Sequence, residues 1–81
     1  MITAIILIHA EPGQTASAGE SLAKLANVAE VYSVTGEYDL VAIVRVDQYE
    51  QMAEVVPQRI AALPGIARTH TLMTFQHYQR E

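Results

Sequence analysis

Two runs of the chain, Ile2-Thr3-Ala4-Ile5-Ile6-Leu7-Ile8-His9 and Leu40-Val41-Ala42-Ile43-Val44-Arg45-Val46, carry apolar and β-branched residues in both parities. Side chains alternate across a strand, so Ile5 and Leu7 share one face while Ile6 and Ile8 share the other, and Val41 and Ile43 oppose Leu40 and Val44 in the same way. Strands of this kind want a sheet that is dry on both sides. A chain of 81 residues is short for that purpose, since a domain of this size buries only about 60 to 65% of its unfolded surface. If its own helices cover one face, the other must be covered by a second molecule. At roughly 25 cal/mol per Å², a few hundred Å² of such surface is worth ~10 kcal/mol before the cost of association. The expectation is a homodimer packed sheet against sheet.

Between and after these runs the periodicity changes. Glu11-Pro12-Gly13 ends the first strand, and from about Gln14 to Ala26 the spacing of Ala18, Leu22 and Leu25 predicts a helix, with Ser17 and Glu20 offering an S-x-x-E cap. Val28 to Thr35 reads as a strand. Asp47-Gln48-Tyr49-Glu50 offers a D-x-x-E cap to a second helix whose stripe is Tyr49, Met52, Ala53, Val56, Ile60 and Leu63. Pro57 lies inside it and predicts a kink between Ala53 and Pro57. Pro64-Gly65 stops that helix, and Ile66 to Tyr78 reads as a long last strand. The order is β-α-β-β-α-β. Its halves are weakly alike, with Leu22 to Ala29 lying over Ile60 to Ala67. Two βαβ units joined by a hairpin predict an α+β, ferredoxin-like fold, a four-stranded antiparallel sheet with two helices on one face, as a single domain over residues 1–81.

Several function classes lose support. There is no cysteine, which removes disulfides, thiolate metal sites and thiol catalysis. A net charge of −4 and five scattered basic residues, Lys24, Arg45, Arg59, Arg68 and Arg80, argue against direct nucleic-acid binding. The start of the chain has no basic leader, and Ala4 to Ile8 is too short to span a bilayer, so a cytoplasmic protein is expected. His9, His70 and His77 have no helical ligand spacing, although His9 and His77 could meet across the sheet if the first and last strands pair there. Ser17, Ser21 and Ser33 sit in no nucleophile elbow. No cofactor, metal or catalytic residue is assigned. Arg45 and Arg68 suit either a ligand carboxylate or salt bridges between subunits.

The connection Thr35-Gly36-Glu37-Tyr38-Asp39-Leu40 sets a glycine and two carboxylates between the middle strands. Gly36 allows positive φ and close approach of another molecule to the backbone, so the hairpin is suited to binding as well as turning. Glu37 and Asp39 could in principle do acid–base work, but both lie on an exposed turn with no apolar pocket evident. Of the tyrosines, Tyr49 fits a helix stripe and Tyr32 a sheet face, which leaves Tyr38 as a site candidate.

With Val34-Thr35-Gly36-Glu37-Tyr38-Asp39 in the hairpin and Leu63-Pro64-Gly65-Ile66-Ala67-Arg68-Thr69-His70-Thr71 entering the last strand, the chain resembles the effector-binding (RAM) domain of the Lrp/AsnC transcriptional regulators. That family carries V-x-G-(D/E)-(Y/F)-D and l-P-G-V-x-x-t-x-T in the same places, and the likeness covers essentially the whole chain. Because the sequence lacks a helix-turn-helix, it is similar to the stand-alone members, and DNA binding does not carry over. The resemblance implies dimers paired through their sheets, rings such as octamers or decamers, and a small effector, usually an amino acid, bound between dimers. It implies that Gly36, Glu37, Tyr38 and Asp39 form one wall of the effector site, with Thr69 and Thr71 from a neighbouring subunit forming another. Full-length Lrp/AsnC regulators are then possible partners through mixed assembly. Asp39 would take the ligand's ammonium, while N–H groups near Gly36 and the threonine hydroxyls would take its carboxylate. Two other readings remain: a cofactor-free monooxygenase or isomerase on a dimeric ferredoxin-like fold, and a structural assembly domain without a ligand.

Overall fold

The computed structural model describes residues 1–80. In chain order the elements are β1 (Ile2–Ala10), α1 (Thr15–Ala23), β2 (Val28–Ser33), β3 (Leu40–Val46), α2 (Tyr49–Glu54), a π-helical continuation of α2 (Val55–Ile60), and β4 (Ile66–Met73). The four strands form one sheet in the order β2-β3-β1-β4, and every neighbouring pair is antiparallel. This is the expected βαββαβ fold, with both helices packed on one face.

The inner face of the sheet carries Ala4, Ile6 and Ile8 of β1 and Leu40, Ala42, Val44 and Val46 of β3, which join Ala18 and Leu22 of α1 and Met52, Val55 and Ile60 in a single buried core. On the outer face the register sets Ile5 opposite Ile43 and Leu7 opposite Val41. It continues to Leu72 and His70 of β4 and to Glu30 and Tyr32 of β2. Among the described residues no helix covers that face, and only Thr74, Gln76 and His77, beyond β4, border it. The total accessible area of 5607 Å² exceeds the ~4,800 Å² expected of a compact monomer of this mass.

The internal likeness is structural. After α1, Leu25 N–H donates to Leu22 O and Val28 N–H to Leu25 O, at 3.1 Å each; before β4, Leu63 N–H donates to Ile60 O at 3.1 Å and Ile66 N–H to Leu63 O at 3.3 Å. Each helix therefore hands over to its strand through the same pair of tight turns, anchored by a fully buried Leu22 or Ile60.

Four local expectations are corrected. The Ser17–Glu20 cap is not formed: α1 starts after Gln14, and Ser17 Oγ donates back to Gln14 O at 3.2 Å. The second cap is shifted by one residue, with Gln51 Oε1 accepting from the N–H groups of Asp47 and Gln48 at 2.9 and 2.7 Å. In place of a simple kink, the helix widens. Pro57 has no N–H for the carbonyl four residues back, and one longer-range bond, Ala61 N–H to Val56 O at 2.9 Å, spans the stretch. The wider turn carries the buried stripe from Met52 through Val55 to Ile60, a five-residue last step; Tyr49, expected on that stripe, is 64% exposed. Finally, β4 ends at Met73 rather than Tyr78. Thr74 still bonds Thr3 O through its N–H and its hydroxyl, at 3.2 and 2.8 Å, beyond the last paired residues, Ala4 and Met73.

Candidate functional site

The hairpin between β2 and β3 is held by its own chain. Its strands close at Ser33 opposite Leu40, and Val34 N–H donates to Asp39 O at 3.0 Å. Gly36 has φ +108°, a backbone angle that other residues rarely adopt, while a Cβ added there would meet nothing within 4 Å. Backbone conformation rather than crowding therefore selects glycine. Asp39 fixes the base of the hairpin twice: its N–H donates to Ile8 O at 2.9 Å, and its Oδ2 accepts from Ala10 N–H at 2.9 Å. Ala10 lies at a register shift between β1 and β4, so the carboxylate satisfies a donor at the irregular end of the ladder. Tyr38, half-buried, lays its ring against His9 with centroids 4.6 Å apart and planes tilted by 38°.

The residues expected in the site do not all converge within one subunit. Gly36 and Glu37 are exposed at the hairpin tip. Tyr38 and Thr69 border a hollow of about 210 Å³ together with His9, Arg68 and His70. Thr71 borders a different groove, of about 490 Å³, between α2 and β4 beside Tyr49, Met52, Val56 and Met73. The register explains the division. Thr69 and Thr71 stand opposite Ile8 and Ile6 on the helix side of the sheet, whereas Arg68 and His70 stand opposite His9 and Leu7 on the outer side. The grouping of His9, Arg68 and His70 is a contact that the residues taken singly did not reveal. Its only trace in the sequence is the two-residue spacing of Arg68 and His70, which puts them on one face of a strand.

At the centre of the outer face, a larger hollow of about 500 Å³ is lined by Ile5 and Ile43 with Glu30, Tyr32, Arg45 and His77 among its polar neighbours. The Tyr32 hydroxyl donates to the Glu30 carboxylate, and that bond, with the negative charge beside it, raises the phenol above its ordinary value of 10.0. His77 lies near Thr3, at the far end of β1 from His9, so the two histidines do not meet. Among the described residues no group of three metal-ligating side chains occurs, the single ion pair is Arg59 with Glu54 at 2.7 Å, and no helix is long and apolar enough to cross a membrane.

Comparison with known proteins places this geometry. A model of the Lrp/AsnC ligand binding domain matches residues 3–81. TTHA0845 from Thermus thermophilus is 50% identical, and its crystal structure superposes with a TM-score of 0.92, covering 99% of this chain and 100% of that one. The HTH-type transcriptional regulator FL11 of Pyrococcus horikoshii is 30% identical over 76 residues, which is 94% of this chain and 50% of the relative. The chain thus spans about half the length of the curated relatives it matches. A transcriptional regulator from Neisseria meningitidis, solved as a complex with L-Met, shares the fold at a TM-score of 0.85 and 15% identity, over 98% of this chain and 53% of its own. FL11 and the other curated relatives are HTH-type transcriptional regulators.

Proposed function

The chain belongs to the Lrp/AsnC ligand-binding domain family, and from that premise we propose that it senses an amino acid at the β2–β3 hairpin and answers by a change in assembly. The observation that carries this reading is the state of the hairpin: its base is pinned to β1 through Asp39, while Gly36 and Glu37 stand free at its tip. A binding loop held in this way loses little entropy when a ligand arrives. Gly36, Glu37, Tyr38 and Asp39 form one wall of the effector site, and Thr69 and Thr71 of a neighbouring subunit form another. The family's sensing role and the L-Met complex of the Neisseria relative support an amino acid as effector.

Assembly begins at the outer sheet face, where Ile5, Leu7, Val41 and Ile43 are only half-buried and the central hollow is filled by a partner copy's side chains. Dimers then join into a ring such as an octamer or decamer, and copies of a full-length Lrp/AsnC regulator can enter the same assembly. An effector that touches two dimers favours the ring to the extent that it binds the ring better than the separate dimers.

The test is the thermal midpoint and solution mass of the chain against the twenty amino acids. A ligand at about 100 times its dissociation constant adds roughly 2.7 kcal/mol. The expected result is a rise for one or a few amino acids that is lost in Asp39→Asn, which keeps an acceptor for Ala10 N–H and removes the charge offered to the ammonium. No response to any of them, with the assembly intact, would leave a structural assembly module instead.

A further inference from the structure

We propose that the hollow bounded by His9, Tyr38, Arg68 and His70 receives a carboxylate, so that the ligand of this chain is a small dicarboxylate, acidic amino acids included. This rests on the hairpin being part of the effector site and adds the chemical class of what that site takes.

The composition of the hollow departs from that of the chain around it. The protein has nine acidic and five basic residues, yet the five residues lining this hollow are His9, Tyr38, Arg68, Thr69 and His70, with no acid among them. The register makes this grouping firm: His9 is directly opposite Arg68, and His70 is opposite Leu7 one row along, so all three side chains stand on the outer side of the sheet. Tyr38 closes the fourth side by stacking on His9. The carboxylate of Asp39, one residue away, accepts from Ala10 N–H and makes no ion pair with Arg68. Arg68 makes no ion pair among the described residues.

A guanidinium with no partner, two imidazoles and a phenol supply donors and no carboxylate acceptor. The planar guanidinium fork matches a carboxylate edge in a two-bond geometry, and the His9 and Tyr38 rings provide an apolar wall for the methylenes behind it. About 210 Å³ is below the range of drug-sized pockets, roughly 300 to 1,000 Å³, so the occupant is small. The hollow also lies at the end of the outer face, where the row of Leu7, Val41 and His70 gives way to that of His9 and Arg68. A sheet-to-sheet partner covering the apolar rows leaves it at the rim, beside the hairpin.

The experiment is calorimetric titration of the whole chain with L-aspartate, L-glutamate, their amides, glutarate and inorganic phosphate, repeated in Arg68→Gln with solution mass followed in parallel. The expected result is binding of the acidic amino acids in clear preference to the amides, weakened roughly ten- to hundredfold in Arg68→Gln, the size of one lost charge-assisted contact. His70→Gln is the second variant and should weaken binding less. Both side chains are exposed, so the fold tolerates either change. Binding of a neutral amino acid, equal in wild type and Arg68→Gln, would overturn the acidic assignment and leave amino-acid sensing standing. Glutarate binding that is lost in Arg68→Gln, with no amino acid bound, would uphold the hollow and remove amino-acid sensing. Phosphate binding as tight as that of the dicarboxylates, or an Arg68→Gln variant that changes mass while nothing binds, would overturn the proposal, the latter by assigning Arg68 to a contact between subunits.

Discussion

Along the middle of β1 and β3 the two faces of the sheet are made of the same residue types and meet different fates. On the helix side Ala4, Ile6, Ile8, Ala42 and Val44 are completely buried, closed over by Ala18, Leu22, Met52, Val55 and Ile60. One residue along in each strand, Ile5, Leu7, Val41 and Ile43 are only half-buried, and Leu72 and Tyr32 expose 42% and 51% of their surface. Apolar character alone therefore does not say what covers a residue. The chain is long enough to finish one face from its own helices, and in the assembly proposed above another molecule finishes the second, which is why assembly and ligand response are expected to be linked in so small a domain.

The largest effect should come from the finished face. Ile6→Ala removes a fully buried side chain from the centre of the core and should lower stability by about 2 to 5 kcal/mol. Urea denaturation should show the loss at every protein concentration; a loss that appeared only at low concentration would mean that the inner face, too, is completed by a partner. Next in size is Ile43→Asp on the open face, opposite Ile5. It should reduce the mass in solution to that of a monomer and abolish the concentration dependence of the thermal midpoint. The monomer's own stability should change by no more than about 1 kcal/mol. An unchanged mass would remove the outer face from the interface.

What the sequence disclosed and what it hid follow from the range of the interactions involved. The order of elements, the strands dry on both sides and the handover from Leu22 to Val28 repeated at Ile60 to Ile66 are written in local periodicity. Pro57 was legible as a lost hydrogen bond, but whether the helix bends or widens depends on what the next turn must bury, and here a five-residue step sets Val55 and Ile60 together in the core. Where β4 stops depends on its pairing with β1, whose Ala4 faces Met73 from the other end of the chain. The hairpin was conspicuous from Gly36 and its flanking acids. Its tether to Ala10 and the meeting of His9 with Arg68 depend on the registers of β1 with its two neighbours, which no local pattern specifies. Thr69 and Thr71 look equivalent to Arg68 and His70 until that register assigns them to the opposite side.

The remaining effects are smaller and lie where the two faces meet. Asp39→Ala removes the acceptor for Ala10 N–H at a half-buried position and should lower the thermal stability by about 1 to 2 kcal/mol. Hydrogen exchange should quicken at Ala10 and in the hairpin, and Asp39→Asn should restore most of the protection. Equal behaviour of the two variants would mean that the charge, rather than the tether, holds the loop.

The smallest expected change tests how the helix layer is started. Gln51 Oε1 accepts from two backbone N–H groups, those of Asp47 and Gln48, yet the cap is exposed and water can replace it, so Gln51→Ala should cost about 0.5 to 1 kcal/mol. That is well below the loss for Ile6→Ala because the cap orders one helix end, whereas Ile6 fills the space between both helices and the sheet. If thermal melts gave Gln51→Ala a loss as large as that of Ile6→Ala, then α2, whose buried stripe is interrupted by the π-helical step, would be held to the sheet by its cap more than by Met52, Val55 and Ile60. The inner face would then be a less complete core than its burial indicates, and the contrast between the two faces would be one of degree.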